Sequence, residues 1–201
     1  RVEQVQTLDE IQHPSARECL KFMGITKGIE IHHDGDLPAR SGLGTSSAFT
    51  VGLLYALHTL KGEKIEKLEL ALEAIHVEQD LICEAVGCQD QCSVACGGLN
   101  FMQFGKGKPK IQRLDISEER IRELESCLML VFTGFPHVSS EIAKTYNFNK
   151  DYELTEMTRM AYEAEQILQG GQLADFGKLL HESWQLKKSL SSQISNPYID
   201  Y

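Results

Sequence analysis

Along this chain the apolar positions recur with a helical period in most segments and with a period of two in a few. Ala16 to Phe22 read as a short helix. Gly28 to His33 alternate apolar and polar residues, as a half-buried strand does. A turn-rich stretch from Asp34 through Gly44 leads into a long apolar helix from Ser46 to Leu60. There Val51, Leu54, Leu57 and Leu60 fall at helical spacing, and Gly62 lies just past the end. Glu66 to Ile82 predict a second amphipathic helix, whose stripe holds Leu68, Leu72, Ile75 and Gln79.

Beyond a loop containing Gly87, Asp90 to Cys96 predict a short helix, and Gly97-Gly98 break into a strand from Leu99 to Phe104. Lys110 to Leu114 pair with it as a hairpin around Gly105, Gly107 and Pro109. Ser117 to Glu125 are helical, with Glu118 and Glu119 suiting the helix dipole. The nearly continuous apolar run from Cys127 to Thr133 predicts a strand buried on both faces. Ser139 to Tyr146, Glu153 to Gln169 and Gln172 to Leu190 read as helices. The shift to mostly helix near Glu119 to Glu125 marks an expected boundary between residues 1–120 and 121–201.

Composition narrows the picture further. With 201 residues, 42% hydrophobic and 24% charged, the chain is long enough for a substantial core and ordinary for a globular protein. A net charge of -9 argues against a general nucleic-acid binder, which carries a basic face. It leaves room for an anionic small molecule held by local amides and cations. No run of about 18 apolar residues and no signal peptide is present, so the expectation is a cytoplasmic protein that neither spans a membrane nor is visibly secreted. The first residue is Arg1, which leaves open a segment upstream.

The stretch Pro38-Ala39-Arg40-Ser41-Gly42-Leu43-Gly44-Thr45-Ser46-Ser47-Ala48 carries the chemistry. Two glycines permit turns that a side chain would block, hydroxyl residues follow, and a helix begins at once. Exposed amides at a helix N-terminus, backed by the dipole, bind anions, and hydroxyls there reach phosphate oxygens or Mg²⁺. The alternative is a glycine turn with an ordinary Ser/Thr cap. The chain lacks the lysine of a Walker A loop, and Ser47 stands where the dinucleotide fingerprint needs its third glycine.

That string closely resembles the second motif of the GHMP kinases, Pro-x3-Gly-Leu-Gly-Ser-Ser-Ala, with Thr45 for the first serine and Ser47 for an alanine. Further segments resemble the D-glycero-D-manno-heptose 7-phosphate kinase branch: Glu73-Ala-Ile-His-Val-Glu78, Val86-Gly87-Cys88-Gln89-Asp90-Gln91, Gly97-Gly98-Leu99-Asn100-Phe101, and Thr133-Gly134-Phe135 with Ser139-Ser140-Glu141-Ile142-Ala143. The similarity runs from Ile29 to about Asn196. The resemblance implies an α+β GHMP kinase fold. Its parts are an N-terminal α/β sandwich like ribosomal protein S5 domain 2 and a helix-rich C-terminal GHMP domain. The family's opening Pro-x-Arg strand and closing Gly-x-Gly-Gly-Gly-type loop do not occur between Arg1 and Tyr201, so both domains are expected in part.

The resemblance also implies roles. Phosphoryl transfer rests on neutralising the phosphates and orienting the attacking hydroxyl. Pro38, Arg40, Ser41, Gly42, Leu43, Gly44, Thr45, Ser46 and Ser47 would hold ATP, and Ser46 and Glu78 would hold Mg²⁺. Asp90 would orient or deprotonate the acceptor, with Gln89 and Gln91 as sugar contacts. Ser46 and Asp90 could instead be helix caps, and Glu78 a solvated charge. Arg40 and Lys144 are candidate phosphate cations or plain surface charges, and His137 stands where relatives often carry arginine. The implied reaction is ATP-dependent phosphorylation of a sugar phosphate at its anomeric hydroxyl. Fucose, galactose or mevalonate kinases and a non-catalytic binding relative are the alternatives, and a homodimer is allowed.

Six cysteines complete the inventory, and Cys88, Cys92 and Cys96 fall on one helical face with Cys83 just upstream. Clustered thiolates bind Zn²⁺ or an iron–sulfur centre, but no Cys-x-x-Cys pair is present and buried thiols also serve as small hydrophobes. His32 and His33, on the expected strand, add little to such a site, and His76 and His181, on helices, read as structural.

Overall fold

The computed structural model describes residues 2–37, 41–134, 145 and 149–200. They fall into two compact units. The first runs through Gly98 and includes Phe104–Lys108; the second holds Leu99–Gln103, Pro109–Gly134 and the described residues beyond 141.

In the first unit, helix α1 (Pro14–Phe22) begins with proline at its first position, where a missing N–H costs nothing. His13 caps it, its Nδ1 accepting from the amide of Ala16 at 3.3 Å. Helix α2 (Thr45–Leu60) buries Ser47, Thr50, Val51, Leu53, Leu54 and Leu57. Helix α3 (Lys67–His76) buries Leu70, Ala71 and Ala74, and its small residues let neighbouring helices approach closely. The helix predicted through Ile82 changes character at Val77, where a π turn (Val77–Leu81) takes over and Ile82 N–H donates to the Val77 carbonyl at 2.9 Å. The most buried line is therefore Leu70, Ala71, Ala74, Val77 and Glu78, while the expected stripe of Leu68, Leu72, Ile75 and Gln79 is half-buried. Helix α4 (Gln89–Cys96) buries Gln91 and Cys92 and packs on α2 and α3. Cys19, Leu20, Met23, Val51, Leu53, Leu54, Leu57, Leu70, Ala74 and Val77 form the core of this unit.

The strand expected at Gly28 to His33 is not formed. That segment runs as irregular backbone beside α2, with a groove of about 830 Å³ between them, and only Ile29 packs on the core. Alternation marks which residues would face inward, but a strand exists only where a neighbour completes the ladder. Among the described residues none does so here.

In the second unit, β1 (Asn100–Gln103) and β2 (Lys110–Arg113) form the expected antiparallel hairpin, with Phe101 opposite Gln112 and Met102 opposite Ile111. Helix α5 (Glu118–Ser126) starts at Ser117, whose hydroxyl accepts from the amide of Arg120 at 3.1 Å. Helices α6 (Asp151–Gly170) and α7 (Leu173–Leu190) pack as a hairpin, burying Met160, Leu168, Leu179 and Leu190. Arg120 donates to the carbonyls of Ile167 at 2.9 Å, Leu168 at 3.2 Å and Gly171, tying α5 to the C-terminal end of α6, where the Ile167 carbonyl also accepts from the Gly171 amide at 2.8 Å. A short α8 (Pro197–Asp200) follows. The run from Cys127 to Thr133 is not a buried strand: Leu128 to Phe132 are all exposed, and no other strand among the described residues lies beside them. The helix expected at Ser139 to Tyr146 lies outside the described residues, Thr145 excepted. Among the described residues, no helix is long and apolar enough to cross a membrane.

Candidate functional site

Gly42 and Gly44 both take positive φ, 77° and 67°, in a region that costs most residues about 1 kcal/mol or more. Gly44 is the N-cap of α2, and no side chain caps that end. An ordinary Ser/Thr cap is thus not what stands here. Thr45, Ser46 and Ser47 lie within the first turn, and no capping side chain occupies the first amides of a 16-residue helix. Amides in that position, with the dipole behind them, suit an anion.

Asp90 faces this loop from the first turn of α4. A Cβ placed on Gly44 would lie 3.1 Å from both Cγ and Oδ2 of Asp90, closer than side chains normally approach. Glycine at this position therefore permits both the turn and the approach of the carboxylate. Asp90 itself is exposed, as are Gln89 and Ser46.

Beneath the loop lies a buried polar group drawn from three elements. Glu78 in the π turn is 1% exposed, and its Oε2 accepts from Ser47 Oγ at 2.9 Å and from Gln91 Nε2. Glu78 Oε1 has no hydrogen-bond partner among the described residues, and neither does Gln91 Oε1 or Ser41 Oγ. A buried oxygen without a donor is costly, and such atoms suit a cation or a bound donor. The carboxylate makes its presence felt nearby. Burial, followed by the charges of Glu78 and Glu18, pushes the Cys19 thiol up to about 12. Burial and the charge of Glu78 also raise Glu84.

The geometry brings together Gly44, Ser47, Glu78, Asp90 and Gln91. Two of these stand differently from the sequence reading. Ser47, rather than Ser46, touches Glu78, and Gln91 is wholly buried against Glu78 instead of facing outward as a sugar contact would. The signal for Ser47 was its spacing: positions 47, 50, 54 and 57 form one inward face of α2. Leu43 is exposed and Thr45 half-buried at the rim of the groove beside α2. Pro38, Arg40, His137 and Lys144 lie outside the described residues.

All six cysteines are free thiols. Burial, with lesser contributions from Cys96 and Cys88, pushes Cys92 up to about 11, which suits packing rather than metal ligation. Among the described residues no three His, Cys, Asp or Glu side chains are grouped to hold an ion by themselves. Oxygen ligation at Glu78 would thus draw on serine hydroxyls, amides or the bound phosphates as well.

Residues 11–98 match the family of GHMP kinases, N terminal domain. Over that span the chain is similar to a GHMP kinase N-terminal domain. The match contains α1, the glycine loop, Glu78 and Asp90, so the whole cluster above lies inside it. The D-glycero-alpha-D-manno-heptose 7-phosphate kinase of Campylobacter jejuni is 31% identical over 178 residues, covering 86% of this chain and 52% of that protein. An L-fucokinase/L-fucose-1-P guanylyltransferase of Bacteroides fragilis is 28% identical over 200 residues, covering 94% of this chain and 21% of that protein. The chain thus spans about half the length of the first relative and a fifth of the second. The GHMP fold also appears in the crystal structure of a D-glycero-D-manno-heptose 1-phosphate kinase from Bacteriodes thetaiotaomicron, with a TM-score of 0.71. That likeness covers 90% of this chain and 57% of the solved one, at 24% identity. These relatives are sugar kinases by name.

Proposed function

We propose that this chain carries the phosphoryl-transfer site of an ATP-dependent sugar-phosphate kinase, with a heptose 7-phosphate as acceptor at its anomeric hydroxyl. The observation that carries the reading is the approach of Asp90 to Gly44 at the uncapped start of α2, with the Glu78 carboxylate beneath. An anion on the amides of Gly42 to Ser47 then lies beside a carboxylate able to receive a proton. In this reading residues 1–120 belong to the ATP-binding domain and residues 121–201 to the C-terminal GHMP domain.

Each part has a stated task. The loop amides and the α2 dipole bind the phosphates of ATP and stabilise the charge that gathers on the transferred group. Asp90 accepts a hydrogen bond from the acceptor hydroxyl, aims its oxygen and takes its proton. The bond from that oxygen to the γ-phosphorus forms as the bond to the bridging oxygen of ADP breaks, and ADP leaves. The unpartnered Oε1 of Glu78 and the exposed Ser46 hydroxyl are oxygen donors of the kind Mg²⁺ takes. When bound there, the ion neutralises phosphate charge. Gln89, exposed next to Asp90, is the candidate sugar contact. The heptose preference rests on the 31% identity to the heptose kinase, and the 28% identity to the fucokinase keeps fucose as the second reading.

The test is ADP release from ATP and Mg²⁺ with heptose 7-phosphate, fucose, galactose and mevalonate in parallel, the product being identified by phosphorus NMR. A kcat/KM for the heptose phosphate at least ten times that for every other acceptor supports the proposal. Preference for fucose or galactose replaces the substrate and keeps the chemistry; no acceptor-dependent ADP from any of the four overturns the proposal.

A further inference from the structure

Gln91 is the one fully buried amide side chain among the described residues, and what it touches is the Glu78 carboxylate. Its Nε2 and the hydroxyl of Ser47 both donate to the same oxygen, Oε2, leaving Oε1 free. Two donors on one oxygen hold the plane of a carboxylate and decide which oxygen stays open to a ligand. An apolar residue would fill this interior position with less desolvation cost, so a buried amide here needs a polar reason.

Position along α4 supplies a second consequence. Asp90 and Gln91 are consecutive in the first turn, so about 100° of helix rotation separates them. Asp90 faces Gly44 while Gln91 turns inward to Glu78. The bond from Gln91 to Glu78 therefore sets the roll of α4 that points Asp90 at the loop, and it ties that roll to α2 through Ser47.

We infer that Gln91 is a positioning residue of the phosphoryl-transfer site: it orients the Glu78 carboxylate toward a divalent cation and holds Asp90 against the glycine loop. This rests on the kinase reading given above and replaces the role of Gln91 as a sugar contact. Hydrogen-bond partners of metal-ligating carboxylates typically change metal affinity on the order of 10- to 100-fold when removed.

The experiment measures Mn²⁺ binding by electron paramagnetic resonance on the protein with ADP bound, together with kcat and the KM of the sugar acceptor. The proteins compared are wild type, Gln91→Leu, Glu78→Gln and the double variant, with circular dichroism and thermal denaturation on each. Where Gln91→Leu does not fold, Gln91→Asn, which keeps the amide but shortens its reach, takes its place in the same comparison. The expected result is Mn²⁺ bound at least tenfold more weakly and a lower kcat, with the sugar KM within twofold of wild type. The double variant should bind no more weakly than Glu78→Gln alone, since Gln91 acts through that carboxylate. A raised sugar KM with unchanged Mn²⁺ binding overturns the inference alone, as do fully additive effects in the double variant. Unchanged Mn²⁺ binding and turnover in Glu78→Gln brings down the metal role of Glu78 in the kinase reading, and this inference with it.

Discussion

Gly44 and Gly24 share a backbone conformation but not a neighbourhood. Their φ values are 67° and 66°, yet a Cβ on Gly44 would meet Asp90 at 3.1 Å while a Cβ on Gly24 would meet nothing within 4 Å. Alanine at either position should cost about 1 kcal/mol in left-handed strain. Gly44→Ala should also displace Asp90. The expected outcome is similar losses of stability in urea denaturation for the two variants, with a fall in kcat of at least tenfold only for Gly44→Ala. Equal kcat in both would detach Asp90 from the reaction. At this scale the glycine loop, Glu78 and Asp90 were legible, because a loop motif and acidic residues announce themselves in type and order. The inward turn of Gln91 was not, since glutamine is polar and reads as surface unless the carboxylate it will meet is known. Ser47 was half legible: its place on the inward face of α2 follows from spacing, but its partner comes from a residue 31 positions away.

Between elements, His58 near the end of α2 reaches two carboxylates. Nδ1 lies 2.8 Å from Glu63 and Nε2 lies 2.8 Å from Glu73 on α3. Both acceptors are carboxylates, so both ring nitrogens donate when His58 is charged. Burial alone would lower its pKa, but the hydrogen bonds and charges of Glu73 and Glu63 together raise it. A histidine raised on folding contributes stability that is complete below its unfolded value, near 6.5, and is lost as pH rises through the higher folded value. Glu63 is held below the usual carboxylate range by Lys61 first, with His58 adding to the effect, so it stays charged throughout that window. The urea midpoint of the wild type should therefore fall more between pH 6 and pH 9 than that of His58→Gln, which should itself be about 1–2 kcal/mol less stable at pH 6. Identical pH profiles would remove the clamp from the account.

Helices and the β1–β2 hairpin were the readable elements, since their hydrogen bonds close locally and leave their period in the sequence. The two expected strands at Gly28 to His33 and Cys127 to Thr133 failed for a common reason: alternation or an apolar run describes a face, and no strand among the described residues stands beside either one to complete a ladder. The π turn that presents Glu78 was hidden as well, because its one-residue slip leaves the helical pattern of Glu66 to Ile82 nearly intact.

The two units of the molecule differ in how well they cover their apolar residues. The first closes around Leu54 and Cys19, both 0% exposed, whereas the second leaves Leu128, Met129, Leu130, Val131 and Phe132 open, Met129 at 86%. A continuous exposed run of this kind binds apolar dyes and other chains. This chain should enhance anilinonaphthalene sulfonate fluorescence, and Leu130→Lys with Phe132→Lys should reduce that enhancement severalfold without lowering thermal stability. A loss of stability in the double variant would mean that the run is packed. Leu54→Ala, by contrast, opens a cavity in the first unit and should cost about 2–5 kcal/mol, read from urea denaturation. These contrasts belong to a chain that spans about half of its heptose kinase relative, and the kinase chemistry proposed here is concentrated in the unit with the closed core.

The most direct measurement is sugar-dependent ADP release in a single turnover, for the wild type and for Asp90→Asn, with ATP binding measured on both. The account predicts ATP bound equally by the two proteins and a rate about 10²- to 10⁴-fold lower in the variant, the range expected when a positioned proton acceptor is lost. Equal rates in the two proteins, or ATP binding with no transfer to any sugar in the wild type, would contradict it.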